Sequence, residues 1–175
     1  GVRELAAATG VDRTTTSKVL RRLAAWRVMR VERVGRAVAA TLVDVTRLLD
    51  RWSAAYDWTR NPALAVHAPV GDPRRFLARL PASLTGHRWA LTLQAGASLL
   101  APHAAWDRIH VYLDVSEAQD LAEVARHASW RPALDGTLVL LQPYYRTTVW
   151  DGVRAVHGLP VVSPVQLLLD LWQYP

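Results

Sequence analysis

The sequence predicts an α/β protein, α+β over its whole length, with a small basic module at residues 1–58 joined to an α/β domain with a mixed sheet at residues 63–175. Three observations predict it. Twelve of the 21 Lys and Arg residues but only six of the 15 Asp and Glu fall in residues 1–60, so the net charge of +6 resides entirely in the first third. Beyond residue 63, short apolar or β-branched runs alternate with stretches of helical spacing, the pattern of layered strands and helices. Between the two parts, "TRNPAL" breaks both patterns and sets the expected boundary near residues 59–63.

Residues 2–9 have helical spacing, and Gly10 is expected to close that helix in a left-handed conformation. Asp12 then caps a second helix to about Trp26, because its carboxylate can accept the free amides one turn in. Val19, Leu20 and Leu23 form the inward stripe of that helix. "VMRVERV" and "AVAATLV", separated by Gly35-Arg36, read as two strands of a hairpin. Thr46 is expected to cap a helix through Trp58, with Leu48, Leu49, Trp52, Ala55 and Tyr56 on one face. In the second part, strands are expected at residues 64–70, 89–92, 108–115, 137–145, 153–156 and 161–162. Helices fall at 73–84, 94–100 and 117–129, and Ser163-Pro164 opens a last one, with Ser as cap and Pro at its first position.

Helix, glycine turn, helix and hairpin is the order of a winged helix-turn-helix. Leu5, Ala6, Gly10, Val11, Val19, Leu20 and Leu23 resemble its signature, with a small Ala where two helices cross and aliphatic residues behind the recognition helix. Thr16 stands where that signature usually has an aliphatic residue. At about 100° per residue, Thr14, Lys18 and Arg21 face away from the stripe with Ser17 beside them. Short hydroxyls can bond phosphates or base edges at close approach, and an Arg fork can read guanine or clamp a phosphate. Arg13 and Arg22 would flank the groove, and Arg33 and Arg36, at the hairpin tip, would meet backbone or minor groove. These eight residues are the candidate contacts to double-stranded DNA. A solvated amphipathic helix would carry the same cations, but turn, cap, hairpin and localised charge together favour the DNA reading.

"LTLQAGASLLAP" (residues 91–102) and "VVSPVQLLLDL" (residues 161–171) resemble the AbiEi-type antitoxins, transcriptional regulators of type IV toxin–antitoxin systems. Ser163, Pro164, Gln166, Leu169, Asp170 and Leu171 match the Ser-Pro-x-Gln helix ending in Leu-Asp-Leu. In the Leu-Thr-Gly-type strand-to-helix start, Leu91-Thr92 is followed by Leu93-Gln94, and the nearest glycine is Gly96. The resemblance implies an N-terminal domain that binds the operon's own promoter and represses it. It also implies a C-terminal domain that opposes a nucleotidyltransferase-like toxin without a stable complex. No catalytic residue is implied.

An enzyme would need groups that are scarce here. With no cysteine and Lys18 as the only lysine, there is no phosphate loop, no Schiff-base lysine in the second part and no E-x-K nuclease core. His67, His87, His103, His110, His127 and His157 lack metal-ligand spacing, so neither a metal nor a cofactor is expected. Asp107, Asp114 and Glu117 form the one acidic cluster a metal mechanism could use, and capping of the following helix is the favoured role. The eight tryptophans are scattered and not interleaved with cations, which suits core packing better than base stacking. The charge-free run at residues 89–106 is interrupted by Gln94, Gly96, Ser98, Pro102 and His103 and reads as core, not as a membrane span. No signal peptide opens the chain, and a cytoplasmic location is expected; beginning at Gly1 is compatible with a fragment of a longer protein. The leading expectation is a non-enzymatic DNA-binding regulator of undetermined oligomeric state. The alternatives are a one-component regulator with a ligand-binding second domain and a nuclease-like enzyme with a DNA-targeting head.

Overall fold

The structure, a computed structural model, describes residues 1–35, 37–69, 71–102 and 106–174. The chain is mixed α/β and divides into two compact units, residues 1–55 and 56–175.

In the first unit, helix α1 (Val2–Thr9) ends at Gly10, whose φ of 69° is the left-handed cap that glycine adopts without a Cβ penalty. Helix α2 (Arg13–Ala25) starts at Asp12, which accepts the Thr15 amide at 2.9 Å. Strands β1 (Met29–Val34) and β2 (Ala37–Leu42) pair antiparallel, with Met29 opposite Leu42. Helix α3 (Val45–Ala55) differs from expectation at both ends. Its cap is Asp44, not Thr46, since the Asp44 carboxylate accepts the Arg47 amide at 2.9 Å. It stops at Ala55, short of Trp58. Asp57 accepts both the amide and the hydroxyl of Thr59, at 3.0 and 2.6 Å, and this local bonding gives the backbone an alternative to continuing the helix. Tyr56 and Trp58, counted with the first part by their spacing, are buried in the core of the second unit.

The second unit is a seven-stranded mixed sheet with helices packed on it. In chain order its elements are β3 (Ala63–His67), α4 (Pro73–Ser83), β4 (Trp89–Thr92), α5 (Leu93–Leu100), β5 (Ile109–Leu113), α6 (Asp120–His127), β6 (Arg131–Pro132), β7 (Leu138–Leu141), β8 (Arg154–Val156), β9 (Leu159–Val161) and α7 (Pro164–Gln173). The strands lie in the order β6-β3-β7-β5-β4-β9-β8. The β5–β7 and β4–β9 pairs are parallel, and the rest are antiparallel. Every residue of β4, β5 and β7 is buried, which is why these strands read as nearly continuous apolar runs. Helix α5 packs on β4 and β5 and against α7, while α6 packs on β3 and β6. Gly136 allows the chain entering β7 to lie against β3, where a Cβ would stand 2.4 Å from the Val66 carbonyl oxygen.

The expected strands and helices of this unit are present, most with trimmed ends, but β3 and α5 begin one residue early, and the strand expected at residues 161–162 lies at Leu159–Val161, sharing only Val161; Val70, at the end of the first expected strand, lies outside the described residues. The two-residue β6 is too short to leave a periodic signal. No described helix is long and apolar enough to cross a membrane.

Candidate functional site

The sequence-derived candidates lie on α2 and the hairpin that follows. Leu20 is buried and Leu23 half-buried as expected, but Val19 is 48% exposed and is not part of the inward stripe. Thr16, at 8% exposure, takes that place. Its hydroxyl donates to the Asp12 carbonyl one turn back at 2.9 Å, so a polar residue can be buried there without an orphaned donor. With Thr16, Leu20 and Leu23 inward, Thr14, Lys18, Arg21 and Arg22 share the outer side, and all four are exposed.

Arg21 Nε donates to the Ser17 carbonyl at 3.4 Å, and Ser17 itself is half-buried at the edge of this face. The Arg22 guanidinium lies over the Trp26 ring, 5.0 Å from its centroid, and Arg51 from α3 reaches the same ring at 4.8 Å. Arg22 is therefore already engaged within the unit. Arg13 is exposed in the first turn, but helical phase sets it nearer the Leu20 side than the Lys18 side. Arg33 is exposed on β1, two residues before the tip at Gly35, while Arg36 lies outside the described residues. The Arg30–Glu32 pair, at 3.7 Å and mostly exposed on both sides, is screened by solvent.

A second constellation, in the second unit, escaped the sequence reading. Asp170 on α7 is fully buried, and four donors converge on its carboxylate. Tyr56, Gln166 and Tyr112 reach Oδ1 at 2.6, 2.8 and 3.2 Å, and the Thr92 hydroxyl bonds Oδ2. Asn61 donates to the Tyr56 hydroxyl at 3.4 Å and to the Trp58 carbonyl at 3.0 Å. Burial pushes the Asp170 carboxyl up to about 6, outweighing the hydrogen bonds that favour the anion. Burial and the Asp170 charge also raise the Tyr56 and Tyr112 phenols above their ordinary range. A carboxylate bonded this way, with no solvent exposure, ties β4, β5 and α7 to residue 56. Gln166 and Asp170 entered the sequence reading only as motif letters. Their i, i+4 spacing, two polar residues on the buried side of an apolar helix, was the available signal.

Thr92 precedes α5 but makes no cap bond; its hydroxyl is turned to Asp170, to which it donates. Leu93 follows at φ 51°, fully buried, at the position where the resembled Leu-Thr-Gly motif has glycine. His110 on β5 is buried beside the rings of Trp58 and Tyr174, and burial, with Arg108 adding, lowers it to about 4. It is neutral at pH 7.

The acidic trio does not cap α6. Asp107, Asp114 and Glu117 are exposed, and α6 starts at Gln119 without a side-chain cap bond; the Asp120 carboxylate instead reaches back to accept the Glu117 amide at 2.8 Å. Among the described residues, no group of three or more His, Asp or Glu could hold a metal ion, and His103 lies outside them. Trp58, Trp89, Trp130 and Trp150 are core, whereas Trp52 and Trp172 are 41% and 50% exposed. A groove of about 800 Å³ opens between α4, α5 and the β8–β9 turn, lined by Leu77, Pro81, Leu99, Trp106 and His157 among others.

Among known proteins, a family model described as transcriptional regulator, AbiEi antitoxin, type IV toxin–antitoxin system matches residues 41–174. The match takes in the whole second unit up to Tyr174 and begins within β2, so α1 and α2 lie outside it. No curated protein and no solved structure matches the chain significantly. With the match covering well over half of the chain, the protein belongs to the AbiEi antitoxin family, the transcriptional regulators of type IV toxin–antitoxin systems.

Proposed function

We propose that residues 1–55 form a winged helix-turn-helix that binds double-stranded DNA in the promoter of the chain's own operon, and that the protein acts there as a repressor. The observation that carries this reading is the outer side of α2, where Thr14, Lys18 and Arg21 are exposed together behind a glycine turn and an aspartate cap. This face belongs to the unit that holds all of the excess positive charge, which suits a polyanion. The regulator family supports the role, and its description supports a functional link to a toxin; we take that toxin to be nucleotidyltransferase-like and to form no stable complex with this chain. In this reading Lys18 and Arg21 enter the groove with Thr14, Arg13 and Ser17 contribute at its rim, and Arg33 and Arg36 meet the backbone from the hairpin. Arg22 contributes charge from its seat on Trp26.

The experiment is a titration of the full chain against duplex DNA from upstream of its gene, read by fluorescence anisotropy at several salt concentrations. Arg21→Ala is expected to weaken binding about 5- to 150-fold, the range of one lost bidentate base contact. Lys18→Ala should weaken all duplexes alike and reduce the salt slope by about 0.9, as a lost phosphate contact does. Wild-type affinity in both variants, each still folded, sinks the proposal. The 800 Å³ groove favours a second reading, a small effector bound in the second unit, which would appear as a ligand-dependent shift of the same titration.

A further inference from the structure

The criterion for base stacking that the scattered tryptophans fail, aromatic rings interleaved with cations, is met elsewhere in the second unit. Past the end of β7 the chain reads Pro143-Tyr144-Tyr145-Arg146. The Tyr144 and Tyr145 rings lie 4.1 Å apart between centroids, inclined at 35°. The Arg60 guanidinium sits over the Tyr144 ring at 4.5 Å, and the buried Tyr56 ring backs both, 5.8 Å from Tyr144 and 6.4 Å from Tyr145. The platform is held rigidly. The Tyr144 amide donates to Asn61 Oδ1 at 3.1 Å, the Tyr144 hydroxyl accepts the Asp57 amide at 3.4 Å, and Arg146 donates to the Ser116 carbonyl beyond β5. Tyr145 is the outermost ring, 43% exposed, with Arg60 and Arg146 exposed beside it. The cluster lies past the carboxyl ends of the adjacent parallel strands β5 and β7, the edge of an α/β sheet where ligands characteristically bind.

We propose that this surface binds single-stranded nucleic acid, with a base stacked on Tyr145 and the flanking phosphates met by Arg60 and Arg146. Strandedness follows from the geometry. A base inside a duplex already has neighbours on both faces, so a platform whose most exposed ring is Tyr145 selects an unpaired base. Two arginines supply the charge for a polyanion. Asp57, the acid nearest in the chain to Arg60, has its carboxylate occupied by Thr59, and Glu117, next in the chain to Ser116, is exposed. The surface belongs to the second unit and α2 to the first, and its role does not depend on the duplex-binding proposal.

The test is anisotropy of a fluorescent 12-nucleotide single-stranded RNA titrated with the full chain. Tyr145→Ala is expected to weaken binding about 5- to 150-fold, the range spanned by one lost base stack, while Tyr145→Trp retains it. Arg146→Ala should lower the salt slope by about 0.7. Arg21→Ala, on the other unit, should leave single-strand affinity unchanged. Tyr145 is exposed, so an unaltered melting curve of Tyr145→Ala will show that its loss is not unfolding. The proposal is overturned if the wild-type chain does not bind the RNA or if Tyr145→Ala binds it as tightly. It is equally overturned if Arg21→Ala abolishes binding, or if polyglutamate displaces the RNA as well as unlabelled RNA does, which would mark a generic anion patch.

Discussion

Replacing Asp170 by Asn should change how the stability of the second unit depends on pH, and the change can be sized from the structure. The carboxyl is displaced from an ordinary 3.8 to about 6 by burial. The folded state therefore holds a proton that the unfolded chain has released, and stability falls as pH rises from about 4 to 6. At about 1.4 kcal/mol for each tenfold step in the proton equilibrium, ionising Asp170 costs the folded unit roughly 3 kcal/mol. His110 works in the opposite direction. Its imidazole is lowered from 6.5 to about 4, so here the unfolded chain holds the extra proton, and stability rises with pH over nearly the same window by about 3 kcal/mol. In the wild-type chain the two slopes largely cancel. Asp170→Asn removes one and exposes the other, so the stability difference between variant and wild type should move by about 3 kcal/mol in favour of the variant between pH 4 and pH 7. Carboxylates common to both proteins drop out of that difference. Amide hydrogen exchange of β4 and β5 measures the opening of this unit directly. Parallel pH profiles for variant and wild type would refute the reasoning. Asp170→Ala, in contrast, takes from the Thr92 hydroxyl its acceptor and leaves Tyr56, Tyr112 and Gln166 only one another, and should destabilise the unit by about 1–3 kcal/mol at pH 5.

Two further substitutions test how the backbone is held. Leu93→Gly relieves a left-handed backbone worth about 1–2 kcal/mol but removes a fully buried Leu side chain worth about 2–5 kcal/mol. The outcome should be net destabilisation in urea denaturation, and a more stable variant would mean that packing at residue 93 is loose. Gly136→Ala drives a Cβ into the β3 backbone at Val66 and should lower the melting temperature and deprotect the β3 and β7 amides; an unchanged melt would contradict the close approach.

Much of the second unit is legible in the sequence because its central strands are covered on both faces and read as uninterrupted apolar runs between turn residues. The resemblance rests on the same physics, since Ser163 does accept the Gln166 amide, at 3.2 Å, with Pro164 opening the helix. What misleads is the assumption that burial follows hydrophobicity. Val19 has the better side chain for a core, yet Thr16 is inside, because a hydroxyl bonded to its own helix carries no unsatisfied donor. The assignment of Tyr56 and Trp58 to the first unit fails for a related reason. Their spacing continues the α3 stripe, but Asp57 bends the chain and delivers both rings to another core. The Asp170 network joins residues from 56 to 170, and no local window contains its partners. The tyrosine–arginine cluster is half legible: Tyr144, Tyr145 and Arg146 are contiguous, whereas Arg60 and Tyr56 arrive through the fold.

The two ends of the seven-stranded sheet bear on how the protein behaves at high concentration. One end is β6, two exposed residues of which Pro132 has no amide to offer; the other is β8, three residues opening with the exposed Arg154. A long bare strand rim would template pairing between molecules, and such rims seed fibrils. Here the interior strands are apolar enough to be hazardous, but they terminate in borders too short, too charged and, at Pro132, too poor in donors to recruit a neighbour. Those margins guard the sheet against edge-to-edge association.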